Sequence, residues 1–213
     1  MRCIVFFGIQ GSGKGTQAET LSRDLGFQHV NIGDLFREQI SRQSPLGKQV
    51  GDIVKRGDLV PDELVFDLID SAVRPDRSGI VFDGFPRTLN QARHLLVHYE
   101  VLQVFFLELA EAEAIARISA RRVCSSCGAN YNLNSNPPRQ ADVCDQCGSE
   151  LAIRNDDRPE AIAKRVQEFY TQTLALKDYF AQQGVLSVIN ASGTISGVGR
   201  EIRAITDGIL NRA

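Results

Sequence analysis

The chain has 213 residues, 43% hydrophobic and 23% charged, which is enough to bury one sizeable core with one or two small insertions around it. A formal net charge of -2 supplies no overall basic field for nucleic acid or an anionic membrane, so any polyanion site has to come from a few positioned cations. The first apolar run, Cys3 to Phe7, stops at Gly8, too short for a signal-peptide core or a membrane span, and the expected compartment is the cytoplasm.

In chain order, short apolar runs alternate with longer helical patterns. Ile4 to Phe7 is the first predicted strand, and Cys3 beside it reads as a small buried hydrophobe. Gln28 to Asn31 is a weaker strand, followed by Ile80 to Phe82, Val104 to Leu107 and Leu186 to Ile189. Continuously apolar strands separated by helices predict a parallel sheet covered on both faces, a three-layer α/β fold. A helix is expected to end near Val123, placing Arg117 and Arg121 four apart on one face, where like charges repel unless an anion lies between them. Asp157 and Glu160, with Pro159 in the first turn, predict a capping box that opens a helix with Ile162, Val166, Phe169 and Phe180 on its apolar stripe. Between these helices, Asn, Pro, Ser and Gly crowd around cysteines, which predicts an inserted subdomain.

Two patterns carry chemistry. Gly8-Ile9-Gln10-Gly11-Ser12-Gly13-Lys14-Gly15-Thr16 follows the first strand and opens a helix, the context of a nucleotide phosphate loop. Its glycines let backbone N–H groups turn inward around an anion at a helix N-terminus, and Lys14 supplies the counter-charge to the β- and γ-phosphates. The hydroxyl that commonly follows the lysine is replaced by Gly15, with Thr16 next. Asp83 ends a buried strand, where Mg2+, directly or through water, or a helix N-terminus would satisfy its charge. The second pattern is Cys124-x-x-Cys127 and Cys144-x-x-Cys147 with sixteen residues between the pairs, the spacing of a four-thiolate Zn2+ site. Four protein ligands leave no open position, so such a metal is structural.

The string Asp83-Gly84-Phe85-Pro86-Arg87-Thr88, together with the phosphate loop, resembles the adenylate kinase family. The resemblance extends through Gly33 to Arg37, Gly57 to Asp62, Arg117 to Arg122 and Arg154 to Asp157, nearly the whole chain. It implies a P-loop nucleoside monophosphate kinase fold with a five-stranded parallel sheet, and reversible transfer of a phosphoryl group from ATP to AMP. The core would be 1–30, 61–119 and 158–213, with a monophosphate-binding subdomain at 31–60 and a zinc-binding lid at 120–157. By the same resemblance Gly11, Ser12, Gly13, Lys14, Gly15, Thr16, Arg117 and Arg121 hold the ATP phosphates. Asn130 and Tyr131 lie against its adenine, whose amino group bonds the backbone near Ile195. Ile32, Arg37, Asp58, Leu59, Val60, Gly84, Phe85, Pro86, Arg87, Gln91, Arg154 and Arg165 face AMP, with Gln91 as reader of the base. Lys14, Arg87, Arg121, Arg154 and Arg165 carry catalysis, and Asp83 holds magnesium through water.

The resemblance implies a monomer acting on ATP, AMP and ADP, without nucleic acid or membrane. Ile32 stands where threonine or serine usually precedes Gly-Asp, Ala120 where glycine precedes Arg-Arg, and Asn155 lies between Arg154 and Asp156. Losing the hydroxyl at position 32 puts the choice of base in question, so a kinase for UMP, CMP or GMP is the first alternative. A nucleotide-switched zinc ribbon gripping nucleic acid is a second, but the ribbon's Arg139 is outweighed by Asp142, Asp145 and Glu150. No Asn-Lys-x-Asp guanine reader occurs in the chain.

Overall fold

The computed structural model describes residues 1–211. Its elements are β1 (Arg2–Phe7), α1 (Lys14–Leu25), β2 (Gln28–Asn31), α2 (Ile32–Ser41), α3 (Pro45–Arg56), α4 (Asp62–Ala72), β3 (Ile80–Asp83), α5 (Leu89–His98) and β4 (Glu100–Glu108). There follow α6 (Glu111–Ser119), β5 (Arg121–Cys124), β6 (Asn130–Asn132), β7 (Leu151–Ala152), α7 (Pro159–Glu168), α8 (Leu176–Gln182), β8 (Leu186–Asn190) and α9 (Ile195–Leu210). Five strands form one parallel sheet in the order β2-β3-β1-β4-β8. All five predicted runs are strands of this sheet, including the weak one at Gln28.

Strand alternation explains why both faces are covered. In β1, Cys3, Val5 and Phe7 enter one apolar cluster with Phe82, Phe106 and Phe180, while Ile4 and Phe6 enter another with Val81, Phe105 and Leu107. A period of two sends neighbours to opposite faces, and a sheet apolar on both faces must be sandwiched by helices. Phe6 and Phe105 stack across the strands at 5.2 Å between ring centroids, and burial of each such ring is worth about 1.5–3 kcal/mol. Cys3 is fully buried, as expected.

β1 lies between β3 and β4, so the chain leaves the sheet centre toward opposite edges on either side of it. Ligands of open α/β sheets bind outside the carboxyl ends of the strands at such a point. Here that crevice receives the loop after β1, Asp83 at the end of β3 and the turn into α5.

Three expectations from the sequence are corrected. The helix ends at Ser119, not near Val123, because Arg121 to Cys124 pair as β5 with β6 and β7 in a small antiparallel sheet. Arg117 and Arg121 therefore do not share a helix face. Asp157 makes no capping box: α7 is preceded by Arg158 without a side-chain cap, and Asp157 is a buried residue of the 3-10 turn Asn155–Asp157. Finally, the stripe from Ile162 to Phe180 is not one continuous α-helix, since Phe169–Thr173 is wound as a π-helical segment.

Candidate phosphoryl-transfer site

The loop from Gly8 to Gly13 is shaped by close backbone approach. Gly8 has φ 145° and a Cβ there would sit 2.5 Å from Leu107 O; Gly11 has φ 87° and its Cβ would sit 2.4 Å from Ala114 O. Any side chain at either position would displace β4 or α6. Lys14 opens α1, and its Nζ donates to Gly8 O and Ile9 O, both at 2.9 Å. Burial pushes the Lys14 ammonium down to about 7, against the opposing pull of Asp83. Gly15 has a local reason: a Cβ there would lie 3.2 Å from Asp83 Oδ2, so the glycine leaves room for that carboxylate. Asp83 accepts from Asn31 Nδ2 at 2.5 Å, and His29 Nε2 stands 3.9 Å away with no hydrogen-bond partner. Burial raises the Asp83 pKa, while Lys14 and His29 oppose the rise.

A cleft of about 600 Å³ lies over this loop. Seven cations line it, namely Lys14, Arg37, Arg87, Arg117, Arg121, Arg154 and Arg165, against the carboxylates of Glu19, Asp34 and Asp83. A chain with a net charge of -2 thus concentrates positive potential in one place. Gly11 to Thr16, Gly84, Pro86, Asn130, Tyr131 and Ile195 also line the cleft. An adjoining pocket is walled by Ile32, Phe36, Val54, Leu59, Val60 and Val65, with Arg37, Asp58, Gly84, Arg87, Gln91 and Arg165 supplying its polar groups. Phe85 reaches neither cavity; it is fully buried and packs on Phe82 at 5.4 Å between centroids.

The arginines are held by a chain of acids that sequence reasoning did not assign. Arg121 donates to Asp157 twice, from Nε at 2.8 Å and Nη2 at 2.5 Å. Arg165 Nη1 donates to Asp157 Oδ1 at 3.0 Å and to Asp156 O at 3.0 Å, and Arg37 bridges Asp34 at 2.6 Å and Asp156 at 3.3 Å. Burial acts to raise the Asp156 carboxyl, but Arg165 and Arg37 hold it below the usual range. Arg154 donates to Asn130 Oδ1 at 2.6 Å, and its Nε is buried without a partner. Arg87 differs from these: its Nε bonds Gly84 O at 2.8 Å, and among the described residues no carboxylate pairs with it. Burial and the neighbouring Arg165 push it down to about 10. A desolvated cation without an anion marks where an anion is most strongly favoured. Thr173, in the π-helical segment, fixes this position by donating to Arg87 O at 2.9 Å.

Other expected site residues are already engaged. Arg117 donates to Glu113 Oε1 at 2.6 Å, one turn back in α6. The Tyr131 hydroxyl is anchored in the lid, 3.5 Å from Cys144 Sγ and accepting from Asp145 N at 2.7 Å, while the residue still lines the cleft. Ile195 O accepts from Gln17 Nε2 at 2.9 Å. Asp58 holds Arg56 at 2.8 Å at the pocket rim.

The four cysteines converge as their spacing predicts. Their sulfurs all lie within 4.8 Å of one another, with Cys124–Cys147 at 3.4 Å and Cys127–Cys144 at 3.6 Å. A tetrahedral zinc site with bonds of ~2.3 Å has sulfur–sulfur edges of ~3.8 Å, so the donor set fits that metal.

Comparison with known proteins decides the family. The adenylate kinase family model matches residues 6–185. The chain belongs to the adenylate kinase family. Curated adenylate kinases resemble it along nearly their whole lengths. That of Borrelia turicatae is 39% identical over 201 residues, covering 93% of this chain and 96% of its own. That of Anaeromyxobacter dehalogenans is 39% identical over 216 residues, covering 98% and 99%, and that of Archaeoglobus fulgidus is 37% identical over 213 residues, covering 97% and 98%. Membership accounts for the pairing of a phosphate loop with a second anion site rich in arginine within one P-loop kinase fold.

Proposed function

We propose that this member of the adenylate kinase family catalyses reversible phosphoryl transfer, ATP + AMP to 2 ADP, in line between two nucleotides bound in the cleft. The carrying observation is that the phosphate loop with Lys14 and the unpaired Arg87 line one cleft. Phosphoryl transfer needs no covalent nucleophile; it needs two phosphates held in line and donors where negative charge spreads. In this reading Gly11 to Thr16 cradle the ATP phosphates, and Lys14 leaves the two carbonyls it now bonds for the transferred group. Arg121 and Arg165, oriented by Asp157, contact the equatorial oxygens, while Arg87, Arg37 and Arg154 hold the AMP phosphate. Magnesium bound with ATP would neutralise the phosphates, with Asp83 as its water-mediated anchor beside Lys14.

The acceptor base enters the pocket walled by Ile32, Phe36, Val54 and Val65, and the apolar Ile32 leaves the reading of its edge to Gln91. Segments 31–60 and 120–157 act as the two closing subdomains, which exclude water before transfer. Zinc on Cys124, Cys127, Cys144 and Cys147 would brace the lid. Asn130 and Tyr131, which both line the cleft, lie against the donor adenine. The protein works as a cytoplasmic monomer; among the described residues no helix is long and apolar enough to cross a membrane. The test is the initial rate of ADP formation from magnesium ATP with AMP, GMP, UMP and CMP as separate acceptors. AMP-selective turnover lost in Arg87→Ala supports the reading; preference for another monophosphate replaces the acceptor.

A further inference from the structure

We propose that Asp62 is a specificity-determining positioning residue: it locks the orientation of the Gln91 amide so that the acceptor pocket selects a 6-aminopurine over a 6-oxopurine. The inference rests on the reading of Gln91 as the base contact.

A glutamine amide carries a carbonyl at one end and an amino group at the other. Adenine offers an N6 donor beside the N1 acceptor; hypoxanthine and guanine offer an O6 acceptor beside an N1 donor. An amide free to turn over about its last torsion would therefore satisfy either base, with no discrimination from that contact. Gln91 is not free. It is 3% exposed, its Nε2 donates to Asp62 Oδ1 at 2.7 Å, and its Oε1 accepts from Arg87 N at 2.8 Å. A carboxylate only accepts and a backbone N–H only donates, so the chemistry of the two partners fixes which end is which. Turning the amide over would set oxygen against oxygen at Asp62 and N–H against N–H at Arg87. One N–H and one carbonyl lone pair remain for a base, in a fixed order along the pocket edge.

Asp62 is itself held. It opens α4 at the pocket's edge, and its carboxylate accepts from Thr88 Oγ1 at 3.0 Å and Asn90 Nδ2 at 2.8 Å, both at the start of α5. The same Thr88 hydroxyl caps α5 by accepting from Gln91 N at 3.1 Å. Backbone and side chain of Gln91 are thus set by one cluster of Asp62, Thr88 and the Arg87 backbone, with Asn90 holding Asp62. A site that holds its polar groups in fixed orientation rejects the wrong base by leaving buried donors and acceptors unpaired.

The experiment compares kcat/KM for AMP and IMP, which differ only along this edge of the base, in the parent, Asp62→Asn, Asn90→Ala and Gln91→Leu proteins. Asparagine at 62 is isosteric but can accept or donate, so either Gln91 orientation finds a partner there and only the weaker, neutral bond from Arg87 N still opposes turning the amide over. The AMP-to-IMP ratio should fall about tenfold in Asp62→Asn, through a higher KM for AMP and a lower one for IMP, with kcat at saturating AMP retained. The exposed Asn90→Ala, which loosens Asp62 without touching the pocket, should move the ratio the same way by less. A ratio within twofold of the parent in both variants, while Gln91→Leu collapses it, overturns the lock. A ratio unmoved by Gln91→Leu shows instead that Gln91 does not read the base, and the inference falls with that assignment. Equal losses for AMP and IMP would reduce Asp62 to a structural residue.

Discussion

Replacing Asp157 by alanine separates the structural role found here from the helix cap that the Asp-x-x-Glu pattern suggests. The Asp157 side chain is 1% exposed and binds two arginines, Arg121 through two hydrogen bonds and Arg165 through one. Removing a buried carboxylate of this kind leaves its cations uncompensated and costs about 3–5 kcal/mol. For a chain of this length, about 2–4 °C of melting temperature accompanies each kcal/mol, so Tm should fall by about 6–20 °C. Loss of an N-cap would cost ~1 kcal/mol and a few degrees. Urea unfolding of a double-mutant cycle decides between them: Asp157 should couple to Arg121 by at least ~1 kcal/mol and to Glu160 by less than ~0.5 kcal/mol. A small loss in Asp157→Ala, with coupling to Glu160 rather than Arg121, would refute the ion-pair account.

Three further outcomes are expected. Arg87→Ala should lower kcat/KM by about 100-fold or more while leaving Tm unchanged or raised, because a partly buried cation with no carboxylate partner stabilises ligand and not fold; a drop in Tm matching that of Asp157→Ala would contradict this. Lys14, pushed down to about 7 by burial, loses its proton as pH rises from 6 to 8, and a bound polyphosphate restores it. ATP binding at pH 8 should therefore take up protons and weaken with rising pH, seen as a dependence of calorimetric heat on buffer ionisation enthalpy that disappears in Lys14→Met. An identical dependence in both proteins would exclude Lys14. Chelation of the lid metal, verified by metal analysis, should abolish hydrogen-exchange protection in β5 to β7 while β1, β3 and β4 keep theirs; unchanged lid protection would show that the thiolates need no ion to hold the fold.

What the sequence disclosed follows from the range of the interactions involved. The phosphate loop was legible because its determinants, glycines, lysine, strand and helix, lie within a few residues of each other. The cysteine cluster was legible because tetrahedral coordination constrains pair spacing. The extent of α6 was not, since Ser119 to Val123 carries no proline or glycine to stop a helix, and β5 exists only through pairing with β6 and β7. Asp157 misled for the same reason: its local pattern matches a cap, yet its partner Arg121 lies 36 residues away. That the Tyr131 hydroxyl is anchored beside Cys144 depends on the folded lid, which brings together residues thirteen apart, and no local pattern announces it. The network of Asp34, Asp156 and Asp157 had a signal in the Arg154 to Asp157 string, but which arginine each acid holds depends on how α2, β5 and α7 meet.

The most direct test of two nucleotides sharing one water-excluding cleft is the fate of the γ-phosphoryl group. With γ-labelled ATP and AMP in a single turnover, the label should appear in ADP built from AMP, with inorganic phosphate at background. Label released as inorganic phosphate at a comparable rate, or retained in ATP while AMP is bound, would contradict transfer between the loop at Lys14 and the acceptor site at Arg87.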